Sequence, residues 1–373
     1  MECGLVVMKV GDYQRDYRVV SLAFDEEVKE DLRNNELDFL YITDKAVILY
    51  PDQLILSEDP NVIELLKKAG NYDVYGLSGN GRLIEYYDDR SIDNYFFITG
   101  KCNSNCVMCP SPDASRKNGE SSSIENLIEI AKHIPSDTPH LTITGGEPFM
   151  VGKEIFRFIL FLREKFTKTE FLFLTNGRIF ALESYVEQLA ECIPYDSVLG
   201  IPLHGSTAEI HDRITQAAGS FTQTVTGIRR LLKKGFRIEL RIVVSRLNAE
   251  DMENIAELIA TKMQGISYVS IMAMEMTGSA YIHRDQVWIP YRQAAEKIEN
   301  GIRILLENGI DVKLYNFPLC TVKREYWTLC ERSISPDKVR YAQTCESCRM
   351  KRICGGVFAG TLGMEKGELK EII

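Results

Sequence analysis

The chain has 373 residues, 45% hydrophobic and 26% charged, a composition typical of globular proteins that excludes long disordered or collagen-like segments. Lysine and arginine number 44 against 53 aspartates and glutamates, so the formal net charge is −9, which argues against a broad nucleic-acid-binding surface. No apolar run approaches the roughly 18 residues of a membrane-spanning helix, and the first residues lack the pattern of a signal peptide. We therefore expect a cytoplasmic protein without nucleic-acid or membrane partners.

The ten cysteines need an explanation other than structural disulfides, because the cytosol keeps thiols reduced. Closely spaced cysteines in such a protein more often bind metal or take part in catalysis. Six of them form two groups, Cys102, Cys106 and Cys109, and then Cys345, Cys348 and Cys354. The others are Cys320 and Cys330, between the groups, and the isolated Cys3 and Cys192.

Residues 1–93 are predicted to form a small accessory α/β domain. Apolar runs joined by short polar turns predict two β-hairpins, at 39–50 and 74–87. Short helices are predicted at 25–33 and 62–68.

Residues 94–310 alternate short apolar runs with helical stretches, the pattern of βα units in a parallel sheet. Six strands are predicted, at 95–99, 141–144, 171–175, 198–203, 238–244 and 268–273. Helices are predicted at 122–133, 153–166, 180–192, 224–234, 249–263 and 291–308. Six units are too few to close an eight-stranded barrel, so we predict an α/β fold with an open, partial (βα)6 barrel. Its chemistry should lie at the carboxyl ends of the strands.

Residues 311–373 hold five cysteines and are predicted to form a cysteine-rich appendage.

A run of three cysteines, Cys102-x3-Cys106-x2-Cys109, follows the first predicted strand. Soft thiolates select zinc or iron–sulfur clusters. Zinc sites normally collect four ligands, whereas three close thiolates without an adjacent fourth favour a cluster with one open iron. A zinc site and unrelated core cysteines remain the alternatives.

Two further motifs follow the second and third predicted strands. Thr144-Gly-Gly-Glu-Pro148 combines glycines that let a ligand approach the backbone with a carboxylate that can accept from an ammonium group. Thr175-Asn-Gly-Arg178 has a similar character. Either motif alone also fits an ordinary turn. His204, at the end of the fourth strand, is interpreted as a hydrogen-bonded turn residue, with a substrate acid or base as the alternative.

The order of these motifs resembles the radical S-adenosylmethionine (radical SAM) superfamily. The cysteine run, Gly-Gly-Glu-Pro and Thr-Asn-Gly occupy matching positions after the first three strands, and the resemblance covers about residues 94–276. It implies that the three cysteines hold a [4Fe-4S] cluster whose open iron binds S-adenosylmethionine (SAM). One electron then cleaves SAM to a 5′-deoxyadenosyl radical, which abstracts a substrate hydrogen, so the cofactors supply the reactive chemistry.

The same resemblance assigns individual residues. The implied cluster ligands are Cys102, Cys106 and Cys109. The residues implied to contact SAM are Met108, against the adenine, and Gly145, Gly146 and Glu147, at the amino group. Arg241 matches a position where relatives keep a polar residue for the SAM carboxylate or ribose, with an ordinary surface arginine as the alternative. The fourth strand departs from the usual Ser-x-Asp-Gly ending, because Pro202 supplies no side-chain donor there. The catalytic residues stay unknown.

A second, closed site is predicted from the later cysteines, because Cys345, Cys348 and Cys354 with Cys320 make a complete set of four ligands. Cys330 competes with Cys320 as the fourth ligand. Cys320 is preferred because it follows a strand-like segment and a rigid turn, whereas Cys330 lies in a stretch, 327–332, that is predicted to be helical. The spacing resembles the auxiliary-cluster (SPASM and twitch) regions of radical SAM peptide maturases. It therefore implies a second [4Fe-4S] cluster, with a structural zinc as the alternative.

A more specific resemblance runs from about residue 76 to residue 361. Its motifs are Ile201-Pro-Leu-His204, His211-Asp212, Tyr315-Asn-Phe-Pro-Leu-Cys320, Arg332-Ser-Ile-Ser335, Tyr341 and Cys354-Gly-Gly-Val-Phe358. Together they resemble the His-Xaa-Ser system radical SAM maturases, the HxsC family. The resemblance implies a ribosomally made precursor peptide with His-Xaa-Ser repeats as substrate and a modification such as a crosslink. We also expect a low-potential electron donor such as flavodoxin or ferredoxin.

The two predicted hairpins offer sheet edges on which a leader segment of such a peptide could add a strand. The alternative is that residues 1–93 only cover the barrel. For the whole chain, the alternatives are a radical SAM enzyme that acts on a small molecule and a noncatalytic iron–sulfur or zinc protein.

Overall fold

The computed structural model describes residues 7–11, 13–336 and 338–373. Within them the strands form a seven-stranded sheet, an eight-stranded sheet and a two-stranded ribbon. The strands of the first sheet are β1 (Val7–Lys9), β2 (Arg18–Ala23), β3 (Phe39–Ile42), β4 (Val47–Tyr50), β5 (Leu54–Ser57), β6 (Val74–Leu77) and β7 (Arg82–Tyr87). Its two helices are α1 (Glu26–Asn34) and α2 (Pro60–Leu66). Each follows an aspartate, Asp25 or Asp59, whose side chain accepts a hydrogen bond from a backbone N–H of the first turn.

Both predicted hairpins are present, as β3 with β4 and β6 with β7. The strand order is β1-β7-β6-β2-β3-β4-β5. The predicted free edges at these hairpins were wrong, because β2 pairs with both β3 and β6, β5 covers β4, and β1 covers β7. Among the described residues, the outer strands of this sheet are β1 and β5.

The second sheet follows in chain order. Its strands are β8 (Tyr95–Phe97), β9 (His140–Thr144), β10 (Glu170–Leu174), β11 (Ser197–Pro202), β12 (Ile238–Val243), β13 (Tyr268–Met272), β14 (Asp311–Tyr315) and β15 (Cys330–Glu331). The helices that accompany it are α3 (Asp113–Asn118), α4 (Ile124–His133), α5 (Ile155–Lys165), α6 (Glu183–Cys192), α7 (Ala208–Thr215), α8 (Ser220–Lys234), α9 (Met252–Lys262), α10 (Gly278–Ile282), α11 (Arg284–Val287) and α12 (Tyr291–Glu307). The remaining elements are β16 (Val339–Arg340), β17 (Val357–Phe358) and α13 (Ala359–Leu362).

All neighbouring strands of the second sheet are parallel, and the order runs from β8 to β15 without a reversal. β8 and β15 are its two edges, so the sheet is an open half-barrel, as predicted. It extends further than the six predicted strands, because β14 pairs with β13 and β15 pairs with β14. The helical stretch predicted at 327–332 ends earlier than expected, since the 3-10 helix Arg324–Leu329 stops before Cys330, which begins β15.

The first sheet packs on helix α4 of the half-barrel. The Ser21 hydroxyl in β2 lies 2.9 Å from Nδ1 of His133, and the Tyr87 hydroxyl lies 2.9 Å from that of Thr138. Both contacts are buried, which fixes this sheet against the outer helices. The limits of the three predicted domains stay a prediction. None of the described helices combines the length and apolar character needed to cross a membrane.

Candidate active site

The loops that follow β8, β9 and β10 meet at the carboxyl ends of these strands. We call residues 100–111, which hold the first three cysteines, the cysteine loop. The turn after β9 lies against it, since the N–H of Gly146 donates to the Thr99 carbonyl at 2.7 Å and that of Glu147 to the Lys101 carbonyl at 2.8 Å. A Cβ atom on Gly146 would lie 2.4 Å from the Lys101 carbonyl oxygen, and one on Gly145 would lie 2.5 Å from that of Thr99. The glycine pair therefore permits close packing of two backbone segments.

The Glu147 carboxylate joins the turn after β9 to the loop after β10. Only 2% of Glu147 is exposed. One carboxylate oxygen accepts from the Thr175 hydroxyl at 2.8 Å and the Phe149 N–H at 3.2 Å, and the other accepts from the Asn176 N–H at 2.6 Å. Burial raises the pKa of Glu147, and these donors oppose that shift. The predicted contact of Glu147 with the SAM amino group stays a prediction.

The Thr-Asn-Gly-Arg motif after β10 forms hydrogen bonds to the cysteine loop. Asn176 Nδ2 donates to Asn103 Oδ1 at 2.6 Å and approaches the Cys102 sulfur at 3.9 Å. Arg178 donates to the Ser104 hydroxyl at 3.0 Å and to the carbonyl of Asn103. These two side chains hold the first half of the cysteine loop from the neighbouring strand.

The thiols of Cys102 and Cys109 are near enough to that of Cys106 to affect its pKa. Burial raises the pKa of Cys106 to about 12, and the thiols of Cys109 and Cys102 contribute to the rise. Burial also raises the pKa of Cys102, whose sulfur accepts from the Ser104 N–H at 3.4 Å. Thiolates are unfavourable here without a cation, and a cluster with three cysteine ligands supplies one. The donor set therefore fits a [4Fe-4S] cluster with one open iron.

No three His, Cys, Asp or Glu side chains in the described part of the chain are grouped to hold a single metal ion. The ligands of a [4Fe-4S] cluster bind different irons, so they do not converge on one point.

A cavity of about 750 Å³ lies inside the half-barrel. Met108, which is 6% exposed, and Arg241 both line it, whereas Gly145, Gly146 and Glu147 lie against the cysteine loop. Arg241 is ion-paired with Glu239, at 2.9 Å, and the Glu239 side chain is 1% exposed.

Glu275 also lines this cavity and was not singled out from the sequence. Burial raises the pKa of its carboxyl group. Its position just after β13, at a carboxyl end of the parallel sheet, was the signal that could have identified it.

His204 is a buried, neutral side chain. Burial lowers its pKa to about 3, and among the described residues its Nδ1 atom has no hydrogen-bond partner. Its backbone N–H donates to His211 Nδ1 at 3.2 Å. Asp212 accepts from the N–H groups of Gly219 and Phe221, so the His-Asp pair supports the corner between α7 and α8.

The second group of cysteines lines a separate pocket. Its four thiols are those of Cys320, Cys345, Cys348 and Cys354. Backbone N–H groups reach three of the sulfurs, from Gly356 to Cys354 at 3.5 Å, from Lys370 to Cys320 at 3.5 Å and from Ile372 to Cys348 at 3.4 Å. Four thiols with amide donors to sulfur fit an iron–sulfur cluster.

Cys330 lies in β15 beside this group. Its thiol donates to the Tyr326 carbonyl at 3.7 Å, and burial raises its pKa to about 12, with the nearby Cys354 thiol adding to the shift. The geometry favours Cys320, which lines the pocket, and the assignment stays a prediction. Cys192 is buried at the end of α6, and Cys3 lies outside the described residues.

The site thus combines an open parallel half-barrel with three cysteines on the loop after its first strand. The model of the Radical SAM superfamily matches residues 96–259 of the chain. This superfamily consists of enzymes that use a [4Fe-4S] cluster and SAM.

Two curated relatives match the chain at 27% identity. The AdoMet-dependent heme synthase of Methanosarcina barkeri aligns over 46% of this chain and 47% of its own length. The antilisterial bacteriocin subtilosin biosynthesis protein AlbA of Bacillus subtilis aligns over 56% of this chain and 44% of its own length. The chain thus spans just under half the length of these relatives.

Solved structures share the fold. SuiB of Streptococcus suis bound to its precursor peptide SuiA matches with a TM-score of 0.50 at 12% identity, over 68% of this chain and 52% of that one. SuiB bound to SAM matches with a TM-score of 0.50 at 13% identity, over 79% of this chain and 61% of that one.

Proposed function

We propose that the protein is a radical SAM peptide maturase that modifies a ribosomally made precursor peptide. The proposal rests on the cavity inside the half-barrel. Its wall includes Met108 and Pro110 of the cysteine loop and Ser333 and Phe358 from the region of the second cysteine group. A substrate in this cavity would lie beside both predicted clusters. The similarity to AlbA, a bacteriocin biosynthesis protein, supports a peptide as that substrate.

A bound [4Fe-4S] cluster with SAM would supply the 5′-deoxyadenosyl radical that abstracts a substrate hydrogen. The chain's own residues would bind and orient these groups. Cys102, Cys106 and Cys109 would be the ligands, while Met108 and Arg241 would contact SAM from the cavity wall. Glu275, at the same wall, would accept a hydrogen bond from the substrate.

The finer parts of the proposal follow the resemblance to the HxsC family. The substrate would carry His-Xaa-Ser repeats, and the product would be a crosslink. Cys320, Cys345, Cys348 and Cys354 would hold the second [4Fe-4S] cluster. A low-potential donor such as flavodoxin or ferredoxin would supply electrons in the cytoplasm. A leader segment would have to use the outer strands β1 or β5, because the hairpin edges are covered.

The test is anaerobic incubation of the reconstituted chain with a reductant, SAM and a synthetic peptide of several His-Ala-Ser repeats. We expect 5′-deoxyadenosine together with a peptide that has lost two hydrogens and has a new covalent connection between its fragments. Cys102→Ala should give neither product. Steady 5′-deoxyadenosine release with every such peptide unchanged would contradict the His-Xaa-Ser substrate.

A radical SAM reaction on a small molecule is the second candidate, because one relative is a heme synthase. Conversion of a small molecule in stoichiometry with SAM, with no change in any peptide, would favour it. Absence of SAM cleavage by a chain with full iron content would instead favour a noncatalytic iron–sulfur protein.

A further inference from the structure

Arg116 is a buried cation that contacts the cysteine loop at its middle and at its end. Helix α3 carries it, and 4% of its side chain is exposed. Its Nη2 and Nε atoms donate to Asn105 Oδ1 at 2.5 and 3.1 Å, and its Nη1 atom donates to the Ser111 carbonyl. Asn105 lies between the first two cysteines and Ser111 follows the third. One guanidinium group therefore spans the segment that holds the second and third thiols.

Arg116 also connects the cysteine loop to helix α10, which follows β13. Its Nη2 atom donates to the Ser279 hydroxyl at 2.9 Å, and the Ser279 N–H donates to the Cys109 carbonyl at 2.9 Å. On the other side, the Arg116 carbonyl accepts from the Cys102 N–H at 3.1 Å. The first and third cysteines are thus each one hydrogen bond away from Arg116 or its partner.

The hydrogen-bond partners of this guanidinium group are all neutral. The Asp113 carboxylate lies close to the guanidinium group, with its Oδ1 atom 3.6 Å from Arg116 Nη2, and the Asp113 side chain is 42% exposed. The other oxygen of Asp113 pairs with Lys117 at 2.8 Å. A buried charge is costly unless a counter-charge lies close to it, and a carboxylate at 3.6 Å that is shared with Lys117 compensates it only in part.

The thiols are the groups that would complete the charge balance. Three thiolates outweigh the positive charge of an oxidised [4Fe-4S] core, so the assembly is anionic. Reduction adds one further negative charge to it. A fixed cation in a site of low dielectric constant therefore stabilises the reduced state more than the oxidised state.

We propose that Arg116 is a positioning residue for the radical SAM cluster, which holds the cysteine loop and raises the reduction potential of the cluster. The inference rests on the proposed function, since it assumes the cluster. Arg178 also donates to this loop, but it is only half-buried and contacts Asn103 and Ser104 near the first cysteine. The charge effect is therefore assigned to Arg116.

The experiment compares Arg116→Gln, Arg116→Lys and the control Lys117→Gln in the full chain, reconstituted anaerobically. Iron and sulfide are counted after gel filtration. The EPR signal that changes when SAM is added belongs to the cluster with the open iron, and its intensity is titrated against potential. Lys117 is on the same helix with 65% of its side chain exposed, so solvent and salt screen its charge.

We expect a more negative midpoint potential in Arg116→Gln and an unchanged one in Lys117→Gln. Arg116→Lys should keep the midpoint but retain less iron, because an ammonium group cannot span the acceptors that the guanidinium fork reaches. A wild-type midpoint and iron content in Arg116→Gln would overturn the proposal. An equal drop of the midpoint in the Lys and Gln variants would overturn the charge effect.

If Arg116→Gln does not fold, the variant Asn105→Asp is measured instead. The new carboxylate still accepts the hydrogen bonds of Arg116, and its negative charge offsets the positive charge of the guanidinium group. The midpoint should then fall, and an unchanged midpoint would overturn the proposal. A wild-type chain without any SAM-responsive signal would contradict the proposed function as well. A normal wild-type signal with unaffected variants contradicts the role of Arg116 alone.

Discussion

The buried Glu147 carboxylate accepts hydrogen bonds from Thr175, Asn176 and Phe149. Glutamine has the same shape as glutamate, but its NH2 group is a donor. It would replace one carboxylate oxygen that now accepts a hydrogen bond, so one donor would lose its acceptor. We expect Glu147→Gln to lower the free energy of unfolding by about 1.5–3 kcal/mol, the usual contribution of hydrogen bonds to a charged group. Urea unfolding of the chain without cofactors measures this change.

The control for this prediction is Glu154→Gln, a few residues further along the same segment. The Glu154 side chain is 70% exposed and lies 4.0 Å from Arg157, so its replacement should change stability by less than about 0.5 kcal/mol. Equal stability of the two variants would show that the Glu147 carboxylate is not held as a hydrogen-bonded anion.

Arg241 and Glu239 have to be changed together. Arg241→Ala alone would leave the buried Glu239 carboxylate without its ion-pair partner, which destabilises a protein by about 3–5 kcal/mol. In the double variant Glu239→Gln with Arg241→Met this penalty is absent. We expect its SAM affinity to fall roughly tenfold to a hundredfold, the effect of one lost charge-assisted hydrogen bond.

Calorimetry with SAM on the cluster-loaded double variant measures the affinity. Glu239→Gln alone is the matched control, since it keeps the arginine. Wild-type affinity in the double variant would exclude Arg241 from the SAM site and leave the ion pair with a purely structural role.

At the scale of elements, the segment 368–372 forms one wall of the second cysteine pocket. Its amides donate to the sulfurs of Cys320 and Cys348, and the Leu369 side chain beside them is buried. Lys370→Pro removes one of these donors, because proline has no N–H. A hydrogen bond to a charged acceptor is worth about 1.5–3 kcal/mol. We therefore expect the second cluster to have a more negative midpoint potential and to be lost more readily.

Iron counts and redox titration of the EPR signal that does not respond to SAM test this effect. Lys370→Ala is the control, as it removes the side chain and keeps the N–H. If proline and alanine behave alike, the amide of Lys370 does not support the second cluster.

At the scale of the whole molecule, the two cysteine groups should load independently. Cys102→Ala and Cys345→Ala should each lower iron and sulfide by about half, since each removes one of two predicted [4Fe-4S] clusters. Only Cys102→Ala should abolish 5′-deoxyadenosine release, because only that site has an open iron. Cys192→Ala is the control, as this buried cysteine lies on α6, outside both groups.

Loss of all iron in either variant would contradict independent loading. Unchanged iron in Cys345→Ala would exclude a cluster at the second pocket. The same samples, analysed for zinc, test the alternative of a structural zinc site there.

The sequence by itself determined the six βα units of the half-barrel, its fold class and the grouping of the cysteines. These are local properties, because buried faces repeat with the period of a strand or helix and cysteine spacing is read directly along the chain. The hairpins β3–β4 and β6–β7 were predictable for the same reason. Their neighbours β1, β2 and β5 were not, since a strand carries no local signal of which distant strand will cover its edge.

Only the tertiary structure decided which distant groups meet. Arg116 reaches Ser279 across 163 positions, and the Lys370 amide reaches Cys320 across 50. Neither pair follows a local pattern, because such contacts depend on how the half-barrel brings separate loops to one end. The glycines of Gly-Gly-Glu-Pro illustrate the difference. Their sequence indicates that something approaches the backbone closely, and the packed structure places carbonyl groups of Thr99 and Lys101 there.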